Sequence, residues 1–169
     1  MMILSIITLI LSMIIQSITS NYTGYIYSSL SIFSTIYVLL SLLILNPYFE
    51  NKKKYFILLI IFGLITDLLY TNTTIFNTTL FIVCHFISKT FHFIFPYNWL
   101  TVSTSNLICI SAYHIITFIL LNILKYDSFS ISNLSKILYS SIIMTIMFSI
   151  IIYLIINFVT KKYELKEVK

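Results

Sequence analysis

Apolar residues fill long, nearly unbroken blocks of this chain, separated by short polar breaks, and that pattern excludes most water-soluble folds. A block of about 18 or more apolar residues matches the roughly 30 Å hydrocarbon core of a bilayer. A soluble helix would show an apolar stripe at every third or fourth position instead. Charge is scarce as well: 9% of the 169 residues are charged and 59% are hydrophobic. A soluble domain of this length needs far more charge to cover its surface.

The blocks predict an all-α fold, a bundle of six transmembrane helices over residues 1–160 followed by a basic tail, 161–169. The expected helices are Met2–Thr19, Tyr25–Leu45, Tyr55–Tyr70, Ile75–Phe95, Thr101–Leu124 and Ile137–Thr160. Asn21–Gly24 and Thr71–Thr74 read as turns, Asn46-Pro47 and Pro96 as stops, and Lys125–Lys136 as the longest loop. Tyr97 and Trp99 suit a connection at the depth of the lipid headgroups. The first block has no Lys or Arg before its apolar run and ends Gln16-Ser17-Ile18-Thr19-Ser20, without a clean cleavage site, so it reads as a retained helix.

The net charge of +5 is carried by lysine, with no arginine. With the N-terminus in the cytoplasm, the inner side receives Lys52, Lys53, Lys54, Lys161, Lys162, Lys166 and Lys169. Lys89 can snorkel to the same side. The outer side keeps Lys125 and Lys136. The positive-inside bias therefore places both termini in the cytoplasm. No loop can hold a soluble domain, and no basic soluble surface exists for nucleic acid.

Cys84 and Cys109 each lie inside an apolar block and read as small buried residues. His85, Lys89 and His92 share one side of the fourth helix, with Asn77 and Ser88. Seven residues of helix rise about 10 Å, too far for His85 and His92 to share one ion. No metal ligand set, cofactor or catalytic group is assigned. His114 reads as a hydrogen-bonded bundle residue. Ser5, Thr8, Ser12, Gln16 and Thr19 line one face of the first helix, which suits either packing within the bundle or docking to another membrane protein.

Asp67 is the one carboxylate within an apolar block. Placing a charged Asp at mid-membrane costs about 2.5–3.5 kcal/mol on insertion scales. It lies about 18 Å along the third helix, in the expected outer half. It should face the bundle interior or a partner, near Asn77 or the Thr71–Thr74 turn. Capping of the turn that follows is the plainer reading. Gly63, one helical turn earlier, shares its face and lets a neighbouring backbone approach.

The stretch FGLITDLLYTNTTIFNTTLF, Phe62 to Phe81, resembles the signature region of the MreD family of rod shape-determining membrane proteins. Gly63 and Asp67 match that family's glycine and following aspartate, and Leu64, Leu68 and Leu69 match its apolar filling. Where the family often carries a glycine in the turn, Thr73–Asn77 has none. The resemblance implies a non-enzymatic protein of the bacterial cytoplasmic membrane. It implies a partnership with MreC, and through it with MreB, RodA and a class B transpeptidase, in peptidoglycan synthesis and cell shape. Gly63, Asp67 and Asn77 are then the expected packing or partner-binding residues. Self-association into a homo-oligomer is also open.

A second reading is the substrate-binding subunit of an energy-coupling-factor vitamin transporter. Such subunits are six-helix bundles that dock through small residues spaced four apart in the first helix. Thr8 and Ser12 could stand there, but no alanine does. An intramembrane enzyme has less behind it, since neither His-Glu-x-x-His nor Gly-x-Ser-x-Gly occurs.

Overall fold

The computed structural model describes residues 2–26, 36–71, 75–123 and 131–162, and every element among them is helical. In chain order these are α1 (Met2–Ile26), α2 (Tyr37–Leu45), α3 (Lys52–Thr66), α4 (Phe76–Ile94), α5 (Trp99–Ile123) and α6 (Ile131–Lys162). A 3-10 turn, Asn46–Tyr48, closes α2, and a π-helical turn, Asp67–Thr71, closes α3. Three helices are long and apolar enough to cross a membrane, over Met2–Thr19, Trp99–Ile123 and Ile137–Lys162.

α1 runs antiparallel to α2, and α4 to α5, as the bonds between them show. Ser12 meets Ser41 at 2.6 Å, and one turn further along α1 the Gln16 side chain accepts from the Val38 N–H of α2. Ser88 pairs with Ser105 across α4 and α5, followed by Cys84 with Cys109 and Asn77 with Tyr113. Asn106 of α5 donates to Ser149 of α6 at 2.8 Å.

The core forms around α2. Its sequence, YVLLSLLIL, is apolar on every side, so it has no face suited to water. All nine residues are buried, with α1 and α6 packed against them and α4 and α5 touching. Around this centre the outer helices turn Ile7, Leu11, Ile57, Ile61, Ile143 and Met147 outward. A surface of that kind suits hydrocarbon and would be a liability in water.

Several boundaries differ from those the apolar blocks predict. α1 continues through the expected Asn21–Gly24 turn to Ile26. Polar residues do not end a helix unless a proline or a competing cap removes its backbone bonds, and neither intervenes there. The expected second helix is thereby shortened at its start, and 27–35 lie outside the described residues. α3 begins earlier, at Lys52, because the Asn51 side chain accepts from the Lys53 N–H at 3.0 Å and caps it. α5 begins at Trp99, with Asn98 and Thr101 each accepting the other's backbone N–H in a reciprocal cap. α6 begins at Ile131, inside the expected loop, and runs to Lys162. The tail beyond it and the Asn72, Thr73 and Thr74 positions of the expected turn also fall outside the described residues.

Six of the lysines gather toward one end. Lys52, Lys53 and Lys54 form the first turn of α3, Lys89 lies in the C-terminal half of α4, and Lys161 and Lys162 close α6. The α4–α5 connection marks the same end: the Tyr97 hydroxyl donates to Ile44 O of α2, and its ring meets Tyr153 of α6 at 5.7 Å.

Candidate functional site at Asp67

Two helices of this bundle start without a cap of their own. α2 begins after Ile36 and α4 after Ile75, and an isoleucine side chain cannot accept from the exposed N–H groups of a first turn. In hydrocarbon no water replaces the missing acceptor. In each case the preceding helix supplies it. Gln16 Oε1 of α1 takes the Val38 N–H at 3.3 Å. At the end of α3, Asp67 does the same for α4 with more bonds.

Asp67 is fully buried. Its Oδ1 accepts the Asn77 N–H at 2.7 Å, and its Oδ2 accepts the Thr78 N–H at 3.1 Å and the Thr78 hydroxyl at 2.9 Å. Both oxygens thus bond the first turn of α4, where the helix dipole favours negative charge. The bound Asn77 side chain continues the network, since its Oδ1 accepts from the Tyr113 hydroxyl of α5. A single acid therefore ties α3 to α4 and, through Asn77, to α5.

Gly63 stands one turn before Asp67 on the same face, against the same residue of α4. A Cβ placed on it would lie 2.8 Å from Thr78 Oγ1 and 2.9 Å from Thr78 Cα. The second contact is with backbone, so a side chain could be accommodated only by moving the helices apart. The Gly63 carbonyl receives the Asp67 N–H and, at 2.6 Å, the Thr66 hydroxyl. After this point α3 widens into its π turn, a rare form frequent at functional sites. Tyr70, in that turn, reaches back to α1: its hydroxyl donates to Met13 O at 2.9 Å and lies 2.6 Å from Ser17 Oγ.

The backbone is strained where α4 begins. Ile75 has φ of +72°, the left-handed region that a β-branched side chain rarely enters. Its side chain is 60% exposed, so burial does not hold it there. The Asp67 bonds to the next turn do.

The structure thus brings Gly63, Asp67 and Asn77 together at one crossing. Thr78, Tyr113 and Tyr70 complete it without having been singled out in the sequence. A tyrosine in an apolar helix needs a partner for its hydroxyl, and that was the available signal for the last two. His85 and His92 are not in this cluster. His85 packs between Tyr55 and Phe56 with ring centroids 5.0 Å away, and His92 lies against Tyr97. Among the described residues no three His, Cys, Asp or Glu side chains converge as a metal would require. The Cys84 and Cys109 thiols each donate to the other's backbone carbonyl at 3.4 Å, deep in the α4–α5 seam.

The polar face of α1 is turned inward. Ser5, Thr8, Ser12 and Gln16 are buried, while Ile7, Leu11, Ile14 and Ile18 face out. Thr19, half-buried, bonds back to Ile15 and Gln16 of its own helix.

Compared with known proteins, the chain matches no family model, no curated protein and no solved structure.

Proposed function

We propose that this chain is a non-enzymatic scaffold of the bacterial cell-elongation machinery, of the MreD kind, set in the cytoplasmic membrane by six helices with both termini inside. Its partner is the bitopic protein MreC, and through it MreB, RodA and a class B transpeptidase. The observation that carries the reading is the Gly63–Asp67 crossing, where an acid in an apolar helix fixes the next helix with both carboxylate oxygens. A catalytic or proton-carrying acid needs access to a substrate or a relay. This one is fully buried, and both of its oxygens bond the first turn of α4. A scaffold needs what such a group supplies, a rigid arrangement of helices that presents a constant outer surface.

The transporter-subunit reading gains no support from α1. Its Thr8 and Ser12 are buried, Ser12 against Ser41 of α2, and the outward residues beside them, Ile7, Ile10, Leu11 and Ile15, are apolar.

Depletion in the native cell tests the function. Rounded cells, with MreC no longer recovered alongside the other elongation proteins, are expected. Normal rods with a vitamin-uptake defect would replace the scaffold by the transporter subunit. Reporters fused after Lys54 and after Lys169 are expected to read cytoplasmic, and one within Ser128–Ser135 external.

A further inference from the structure

The α3–α4 seam carries an unbalanced pair of cations at the lysine-bearing end. Lys52 and Lys89 come from different helices, each about one turn from the Phe56–Phe86 ring contact that joins them, and the charges of both bear on the buried His85. Like charges so placed repel, and partial desolvation followed by the charge of Lys89 lowers the Lys52 pKa from its ordinary value. The Lys52 ammonium uses one of its three N–H groups on Asn46 O at 3.0 Å, which anchors it over the end of α2. Lys53 and Lys54 add two more cations in the same turn, at the helix end where the dipole disfavours them. Helix stability therefore does not account for this cluster. Glu50, the nearest acid in sequence, is exposed, and among the described residues no carboxylate pairs with Lys52, Lys53, Lys54 or Lys89.

The surface beside these cations is apolar. On α4, Phe86, Lys89 and Phe93 follow at helical spacing and are exposed, Phe93 to 90%. On α3, Lys53 is followed one turn on by exposed Ile57 and then Ile61. The Phe56 and Phe86 rings, 6.5 Å apart, join the two helices below the lysines. Cations above a two-helix apolar strip match a molecule with an anionic head and hydrocarbon chains.

We propose that Lys52 and Lys89 hold the phosphate of an anionic phospholipid whose acyl chains lie along Ile57, Ile61 and Phe86. The site rests on the chain being in a membrane and is independent of any role in cell elongation. A bound headgroup would relieve the repulsion between the two lysines and fasten α3 to α4 at the end opposite Asp67.

The test is native mass spectrometry of the protein released from nanodiscs of equimolar phosphatidylglycerol and phosphatidylcholine. The wild type should retain phosphatidylglycerol preferentially. In K52Q/K89Q that preference should fall by roughly tenfold or more, since each lysine near an anionic surface contributes about fivefold. K161Q/K162Q, which removes equal charge from α6, should keep it. Size-exclusion profiles establish that each variant is folded, and K89R should restore retention to K89Q if a cation is what matters. Undiminished retention in K52Q/K89Q overturns the site, and an equal loss in K161Q/K162Q replaces it by a diffuse charge effect. A second arm adds inorganic phosphate to lipid-free protein in detergent. Stabilisation by millimolar phosphate that K52Q/K89Q abolishes would make the free ion the ligand and overturn the lipid assignment.

Discussion

Asp67 Oδ1 holds the Asn77 backbone N–H at 2.7 Å, so the last turn of one helix caps the first turn of the next. The α4 helix has no cap of its own, and Ile75 before it is strained. The orientation of α4 therefore depends on a residue ten positions earlier. The same arrangement, with Gln16 and Val38, starts α2.

Removing the carboxylate strands two buried N–H groups and a hydroxyl. Asp67→Ala is expected to cost about 2–4 kcal/mol, combining the loss of a helix cap with unsatisfied buried donors. Asp67→Asn keeps an acceptor oxygen and should lose about half as much. Reversible unfolding in bicelles or mixed micelles measures both. Equal stability of the wild type and Asp67→Ala would show that the bonds to α4 contribute nothing.

Gly63→Ala should force the α3–α4 crossing open, because the new Cβ meets Thr78 Cα at 2.9 Å. Overpacking of this kind costs about 1–3 kcal/mol. The separation also lengthens the Asp67 bonds to Thr78, so the two substitutions act on one interaction. The double variant Gly63→Ala/Asp67→Ala is therefore expected to lose less than the sum of the singles, by at least about 0.5 kcal/mol in a double-mutant cycle. Additive losses would separate the glycine from the acid.

Ile75→Gly should stabilise the protein. The left-handed conformation costs an L-residue about 1–2 kcal/mol and glycine little. Part of the gain is offset by the greater freedom of glycine in the unfolded chain, leaving about 0.5–1 kcal/mol. Thermal unfolding followed by loss of the monodisperse peak reads this directly. Destabilisation would mean that the exposed isoleucine makes a contact the strain sustains.

Ser12→Leu should destabilise the isolated chain by about 1–3 kcal/mol, since Ser12 Oγ lies 2.6 Å from Ser41 Oγ in a close α1–α2 contact. Leu11→Phe, on the outward side, should be neutral. If Ser12→Leu left the isolated chain unchanged and abolished capture of a membrane partner, the polar face of α1 would be a docking surface after all.

The all-helical character was legible because apolar blocks of near-membrane length have few other solutions. The α4 limits were legible within a residue, as Pro96 ends its block and polar Thr71–Thr74 precede it. The limits of α1, α3 and α6 were not. Where polar residues have good helix geometry and no proline, hydropathy falls while the backbone ladder continues, as at Asn21–Gly24 and Ile131–Lys136. The burial of α2 on every side could not be read either, since lipid and a protein core select the same residues. Asp67 announced itself as an acid in an apolar block, and its spacing from Gly63 put both on one face. The identity of its main partner, Thr78, depended on where α4 starts. That start is set by a left-handed isoleucine that no propensity would place there.

Capture of MreC by Asp67→Ala and Asp67→Asn, against the wild type at matched membrane levels, probes the link between the α3–α4 crossing and scaffolding. The proposed role predicts a graded loss, small for Asn and large for Ala, with cell rounding in the same order. Full capture and normal rods with Asp67→Ala, in protein whose α4 has measurably loosened, would contradict it.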